Sequence, residues 1–226
     1  MKHSIIPALA TLIALFSACK AAGEHEYTPP AQLEVLPQNA RVVDASYDDV
    51  WSALTSHVGG DLFAIGQSDK DSGLLTLHFT TTPFSQAITG GQWQATFDNS
   101  DAVEGQALWS DAEGPRVTIE FDGDYVNYAE QYLGGVLSGS IDLTVTEVSA
   151  HRTNITADTR FSLVYIAKDP ATGSPTHVEY FWSSGQRCQM VTTDEDGKQV
   201  TRTMQSTNYV EGQIQEVLGD LFRGEA

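Results

Sequence analysis

The run from Ile155 to Tyr165 limits the fold of this chain more than any other feature. Ile155, Ala157, Thr159, Phe161, Leu163 and Tyr165 recur at every second position. A period of two puts successive side chains on opposite faces of an extended strand. Such a strand has one buried face and one wet face, which is the signature of antiparallel sheet. The same period returns in Leu75, Leu77 and Phe79, in Trp93, Ala95 and Phe97, and in Val117, Ile119 and Phe121. Ile141, Leu143 and Val145 continue it, as do Val178, Tyr180 and Trp182. Two short strands near 187–204 flank Asp194-Glu195-Asp196-Gly197, a hairpin turn.

Helices are expected at the two ends of this series. Ser46 precedes Asp49 by three residues, a start of capping-box type. Val50, Trp51, Leu54 and Val58 then share one helical face, and Gly59-Gly60 ends it, which places a helix over 46–58. Near the C-terminus Val210, Ile214, Val217, Leu218, Leu221 and Phe222 form an apolar stripe opposite Glu211, Gln213, Gln215, Glu216 and Asp220. A one-sided sheet needs a cover and an amphipathic helix needs a floor. The expected fold is therefore one α+β domain over 41–226, a single antiparallel β-sheet covered on one face by an N-terminal and a C-terminal helix.

The first forty residues differ in character. Met1-Lys2-His3 is followed by an apolar run from Ile5 to Phe16, too short to span a bilayer as a helix. Ser17, Ala18 and Cys19 follow. This stretch resembles the lipobox of bacterial lipoproteins, in which a small residue precedes a cysteine that becomes the diacylated first residue; Phe16 stands where Leu is usual. The resemblance implies a signal peptide over 1–18, lipidation of Cys19, and, because Lys20 rather than Asp follows, delivery to the outer membrane of a Gram-negative cell, facing the periplasm. Cleavage before Cys19 without lipidation would allow a bridge to Cys188, the other of the two cysteines, and cleavage at Ala21-Ala22 would remove the thiol. Residues 19–40, with Pro29-Pro30 and Pro37, read as a lipidated cysteine and a flexible tether.

A second resemblance covers the folded part. Val-Val-Asp-Ala-Ser-Tyr-Asp-Asp-Val-Trp-Ser-Ala-Leu from Val42 to Leu54, then Phe63-Ala-Ile and Asp69 to Leu77, resembles the opening of BamC/NlpB-like envelope lipoproteins. Ser206 to Leu218 resembles the C-terminal helix of uncharacterised lipoproteins. What these imply is a helix-grip fold and an envelope location, not a chemistry.

The formal charge of −18, from 30 Asp and Glu against 12 Lys and Arg, repels polyanions, so nucleic acid is not an expected partner. No Gly-x-Ser-x-Gly occurs, and Gly134 to Ser140 lacks the lysine of a phosphate loop, reading instead as a turn before the Ile141 strand. His3, His25, His57, His78, His151 and His177 show no metal-ligand spacing, and the clusters Asp69/Asp71, Asp122/Asp124 and Asp194/Glu195/Asp196 complete no calcium loop. These clusters read as turns. Cys188 reads as a small buried hydrophobe. No enzyme, cofactor or metal is expected. The expected function is that of a lipid-anchored binding or assembly-support module with an envelope protein as partner. The alternative is a carrier for an apolar ligand in a cavity lined by Trp93, Phe97, Phe121, Phe161 and Tyr165, between the C-terminal helix and the sheet.

Overall fold

The computed structural model describes residues 26–33, 39–60, 62–99, 117–168, 175–193 and 199–222. The lipobox-like stretch, Cys19 and the acidic turn at 194–196 lie outside them. In chain order the elements are β1 (Glu26–Thr28), β2 (Ala40–Val43), α1 (Tyr47–His57), β3 (Phe63–Asp69) and β4 (Leu74–Thr81). A 3₁₀ turn at Phe84–Gln86 leads to β5 (Ile88–Thr89), β6 (Gln92–Asn99), β7 (Val117–Asp124) and α2 (Tyr125–Leu133). Then come β8 (Val136–Ser149), β9 (Arg152–Lys168), β10 (Pro175–Ser183), β11 (Arg187–Thr193), β12 (Gln199–Ser206) and α3 (Tyr209–Leu221).

Local signals act as the residues suggest. Ser46 keeps an extended backbone and its side chain accepts from the Asp49 N–H, starting α1, whose buried face is Val50, Trp51 and Leu54. In α3 the buried face carries Val210, Ile214 and Leu218. β11 and β12 pair antiparallel, as a hairpin should.

The single sheet covered by two helices is not what forms. Among the described residues strand outweighs helix, 55% to 23%, and the strands divide into three sheets. The largest runs β10-β9-β8-β4-β3, with β2 also on β9; the others run β1-β6-β7 and β11-β12-β5. Alternation says that each strand has a dry side. It does not say which strand lies alongside. β6 finds its neighbours in β7 and in β1 rather than in the main sheet. The third helix, α2, was not anticipated; Asp124 caps it, accepting from the Val126 N–H at 2.8 Å. The glycine-rich stretch from Gly134 is likewise not a turn throughout. Gly134, at φ 59°, closes α2, and β8 starts at Val136.

The stretch expected as a tether is partly docked. Glu26–Thr28 pairs with Gln92–Gln94. Arg187 Nη2 donates to the Pro30 carbonyl, and Gln205 Nε2 to that of Ala31, both at 2.6 Å. Gly91, at φ 81°, makes room for this segment: a Cβ there would lie 2.3 Å from the Thr28 carbonyl oxygen and 2.7 Å from Pro30 N. Proline-containing composition signals extended backbone, and extended backbone serves a strand as well as a tether.

Candidate functional site

The five aromatics expected around one cavity fall into two groups. Phe161 and Tyr165 lie on β9 in the main sheet. Phe161 stacks on Trp182 at 5.3 Å and meets Phe79 edge-on at 5.7 Å. Tyr165 stacks on Tyr180 at 5.9 Å and donates a 3.4 Å hydrogen bond to its hydroxyl. Trp93 lies on β6 and Phe121 on β7, in another sheet, with ring centroids 5.6 Å apart. Phe97 is on β6, with its side chain outside the described residues. Trp93, Phe161 and Tyr165 are buried against neighbouring rings.

Where the three sheets meet, β12 sends Arg202 inward. Its guanidinium carbon lies 4.5 Å from the Tyr125 ring centroid, 4.8 Å from Trp93 and 5.7 Å from Tyr27. Trp93 also packs edge-on against Tyr125 and Tyr128, at 5.5 and 4.5 Å. Arg202 is only 8% exposed. A cation against three ring faces in a desolvated site is held by the quadrupole of each ring. The Tyr27 hydroxyl donates to the Gly90 carbonyl at 3.0 Å and accepts from the Thr203 N–H at 2.7 Å, so the box is tied to the strand that carries the arginine. None of Tyr27, Tyr125, Tyr128 and Arg202 was singled out from sequence as a site residue. The signal existed: Arg202 is two residues from Met204, so the strand period puts both on one face.

Burial pushes the Tyr125 phenol up to about 12, with the neighbouring Arg202 pulling the other way. Tyr165 is raised as well, first by burial and then by its hydrogen bond to Tyr180. The unfolded chain ionises a tyrosine at about 10. The stability held in a neutral Tyr125 is therefore complete below that pH and is lost as pH climbs from 10 through about 12. We expect an alkaline titration followed by phenolate absorbance to show a late fraction that coincides with loss of the fold. Titration of every tyrosine near 10 in the folded chain would contradict the burial.

Other candidate groups take structural positions. Glu211 of α3 is buried and accepts from Ser184 Oγ at 2.7 Å and Ser206 Oγ at 2.9 Å. Asp69 accepts from the Asp71 and Ser72 N–H groups, a turn of the kind its neighbours suggested. Asp122 accepts from Gln92 and Gln94. Among the described residues no three His, Cys, Asp or Glu are placed to hold a metal ion. Cys188 is free and buried, and burial raises its thiol.

A cleft of about 470 Å³ lies between β2 and α3, lined by Ala40, Arg41, Val42, Asn154 and Gln215. Arg41 Nη1 donates to the Gln215 carbonyl at 3.3 Å and so bridges strand and helix. The Gln215 side-chain nitrogen is buried with no hydrogen-bond partner among the described residues. Sequence reading passed over this place because Arg41 and Gln215 lie 174 positions apart.

No family model, curated protein or solved structure matches this chain.

Proposed function

We propose that this chain is a non-enzymatic binding module of the cell envelope, anchored by a lipid on Cys19 at the periplasmic face of the outer membrane. The observation that carries the binding role is the cleft between β2 and α3: it is open and polar, while the aromatic interior is occupied by its own side chains. The anchor rests on Ser17-Ala18-Cys19 behind the Ile5–Phe16 run. Cys19 and Glu26 are seven positions apart, at most about 25 Å of extended chain. A lipid on Cys19 would therefore hold the folded part close to the membrane rather than on a long leash. The carrier role lacks comparable support, because Trp93, Phe121, Phe161 and Tyr165 lie against other rings.

Globomycin should accumulate the unprocessed form in a Gram-negative host, and Cys19→Ser should abolish palmitate incorporation and release the protein from the membrane fraction. Unchanged processing under globomycin, with no palmitate label on the wild-type chain, would refute the anchor.

A further inference from the structure

We infer that the groove between the edge of β6 and the β11–β12 hairpin is a recognition site for an extended polypeptide segment with a tyrosine and a proline three positions apart. Residues 26–31 fill it as a built-in occupant, which a partner's segment can replace. This site is separate from the cleft between β2 and α3 and does not rest on it.

The contacts are those of a bound peptide. Only Glu26–Thr28 pairs with β6. Beyond Thr28 the main chain is held by side chains from the other end of the sequence. Arg187 Nη2 donates to the Pro30 carbonyl and Gln205 Nε2 to that of Ala31, both at 2.6 Å. Gln205 is 4% exposed, so its amide is a donor built into the floor of the groove. Strand pairing and side-chain capture of carbonyls along a proline-bearing segment are two modes by which domains take up peptides, and both act here.

Two side chains supply specificity. Tyr27 and Pro30 turn inward, while Glu26, Thr28, Pro29 and Ala31 are exposed. A spacing of three is the period of polyproline II. The Tyr27 hydroxyl lies between the Gly90 carbonyl and the Thr203 N–H, and its ring lies 5.7 Å from the Arg202 guanidinium carbon. A phenyl group in the same place would leave the Thr203 N–H without that acceptor. Gly91 lets the backbone come close, since a Cβ there would meet the Thr28 carbonyl oxygen at 2.3 Å.

Little of the core depends on this segment. The cluster of buried apolar side chains starts at Val43, with Tyr27 only partly buried against it. Without Tyr27, Arg202 still keeps the two nearer rings, Tyr125 and Trp93. A covalently joined segment competes at an effective concentration in the millimolar range, which makes the docked residues an autoinhibitory contact. A second copy carries the same segment but also the same charge of −18, so a different polypeptide is the better-matched occupant.

The test uses the full chain and the hexapeptide Glu-Tyr-Thr-Pro-Pro-Ala. In the wild-type chain the Thr203 amide reports the seating of Tyr27, because it donates to that hydroxyl. Its hydrogen exchange should run through local release, about a hundredfold faster than the slowest amides of β9. Exchange of Thr203 only with global unfolding would overturn the proposal, and this holds even if the variants fail to fold. Tyr27→Ala empties the tyrosine site. The hexapeptide should then bind and raise the melting temperature by about 3 °C near saturation. Adding Arg187→Ala should weaken that binding about tenfold. The same peptide with alanine for its tyrosine should produce no shift. Equal shifts by the two peptides, or none by either, would overturn the site. Dimers of the wild-type chain that the hexapeptide disperses would overturn the partner class and assign the groove to a second copy.

Discussion

Arg202→Ala should cost about 4 kcal/mol of folding stability, read as a lower urea midpoint with an unchanged slope. The side chain is buried where three sheets meet and lies over Tyr125, Trp93 and Tyr27 at 4.5, 4.8 and 5.7 Å. Two effects add. Cation–π attraction in a desolvated site is worth about 2 kcal/mol, and truncation to Ala leaves a hole lined by rings. Arg202→Met separates them, since it keeps most of the volume and removes the charge. We expect it to lose about 2 kcal/mol, the electrostatic part. A methionine variant as stable as wild type would show that the rings need only a filler, as happens when a buried charge is replaced by a well-packed apolar residue. An alanine variant within about 0.5 kcal/mol of wild type would remove Arg202 from any account of how the sheets are joined.

Phe161→Ala should be comparably damaging, at about 4 kcal/mol. Gly139 of β8 stands directly between Phe79 of β4 and Phe161 of β9 in the register. With no side chain of its own, it lets the two rings meet above it: a Cβ at Gly139 would come 2.5 Å from the Phe79 ring and 2.1 Å from the Arg160 carbonyl oxygen. Phe161, 1% exposed, fills this gap from one side and stacks on Trp182 from the other. Alanine would empty both contacts at the centre of the largest sheet, where neighbouring strands leave little freedom to collapse. Chemical denaturation gives the magnitude, and the near-ultraviolet dichroism of Trp182 should weaken in the folded variant. A loss below about 1.5 kcal/mol would mean that the surrounding strands close the gap.

Gly139 and Arg202 also show how legibility varied along the chain. The strand pattern around Phe161 was plain in the sequence, because burial on one face imposes period two regardless of the neighbours. The need for a glycine opposite Phe161 was invisible, because it comes from a ring on another strand. Gly134 to Ser140 looked like a turn for the same reason: glycine and serine have poor intrinsic strand preference, and pairing with β4 and β9 on both sides overrides it. The nine-residue α2 escaped notice because its aromatic residues suit strands as well as helices; only the Asp124 cap marked its start.

The candidate cavity fared differently from the strands. Trp93, Phe121, Phe161 and Tyr165 were correctly read as apolar-facing, since that is a property of each strand alone. That they surround one space was a statement about sheet pairing, and pairing sent Trp93 and Phe121 to one sheet and Phe161 and Tyr165 to another. The cleft beside Val42 and Gln215 involves a strand and a helix from opposite ends of the chain.

By itself, then, the sequence determined the strands that alternate cleanly, where α1 begins, and which faces of α1 and α3 are dry. These follow from local periodicity and capping, which act within a few residues. Only the tertiary structure decided that the strands form three sheets, that Glu26–Thr28 joins one of them, and that Arg202 is boxed by aromatic rings. Each of those is a contact between distant segments, and a period of two carries no address for the partner strand.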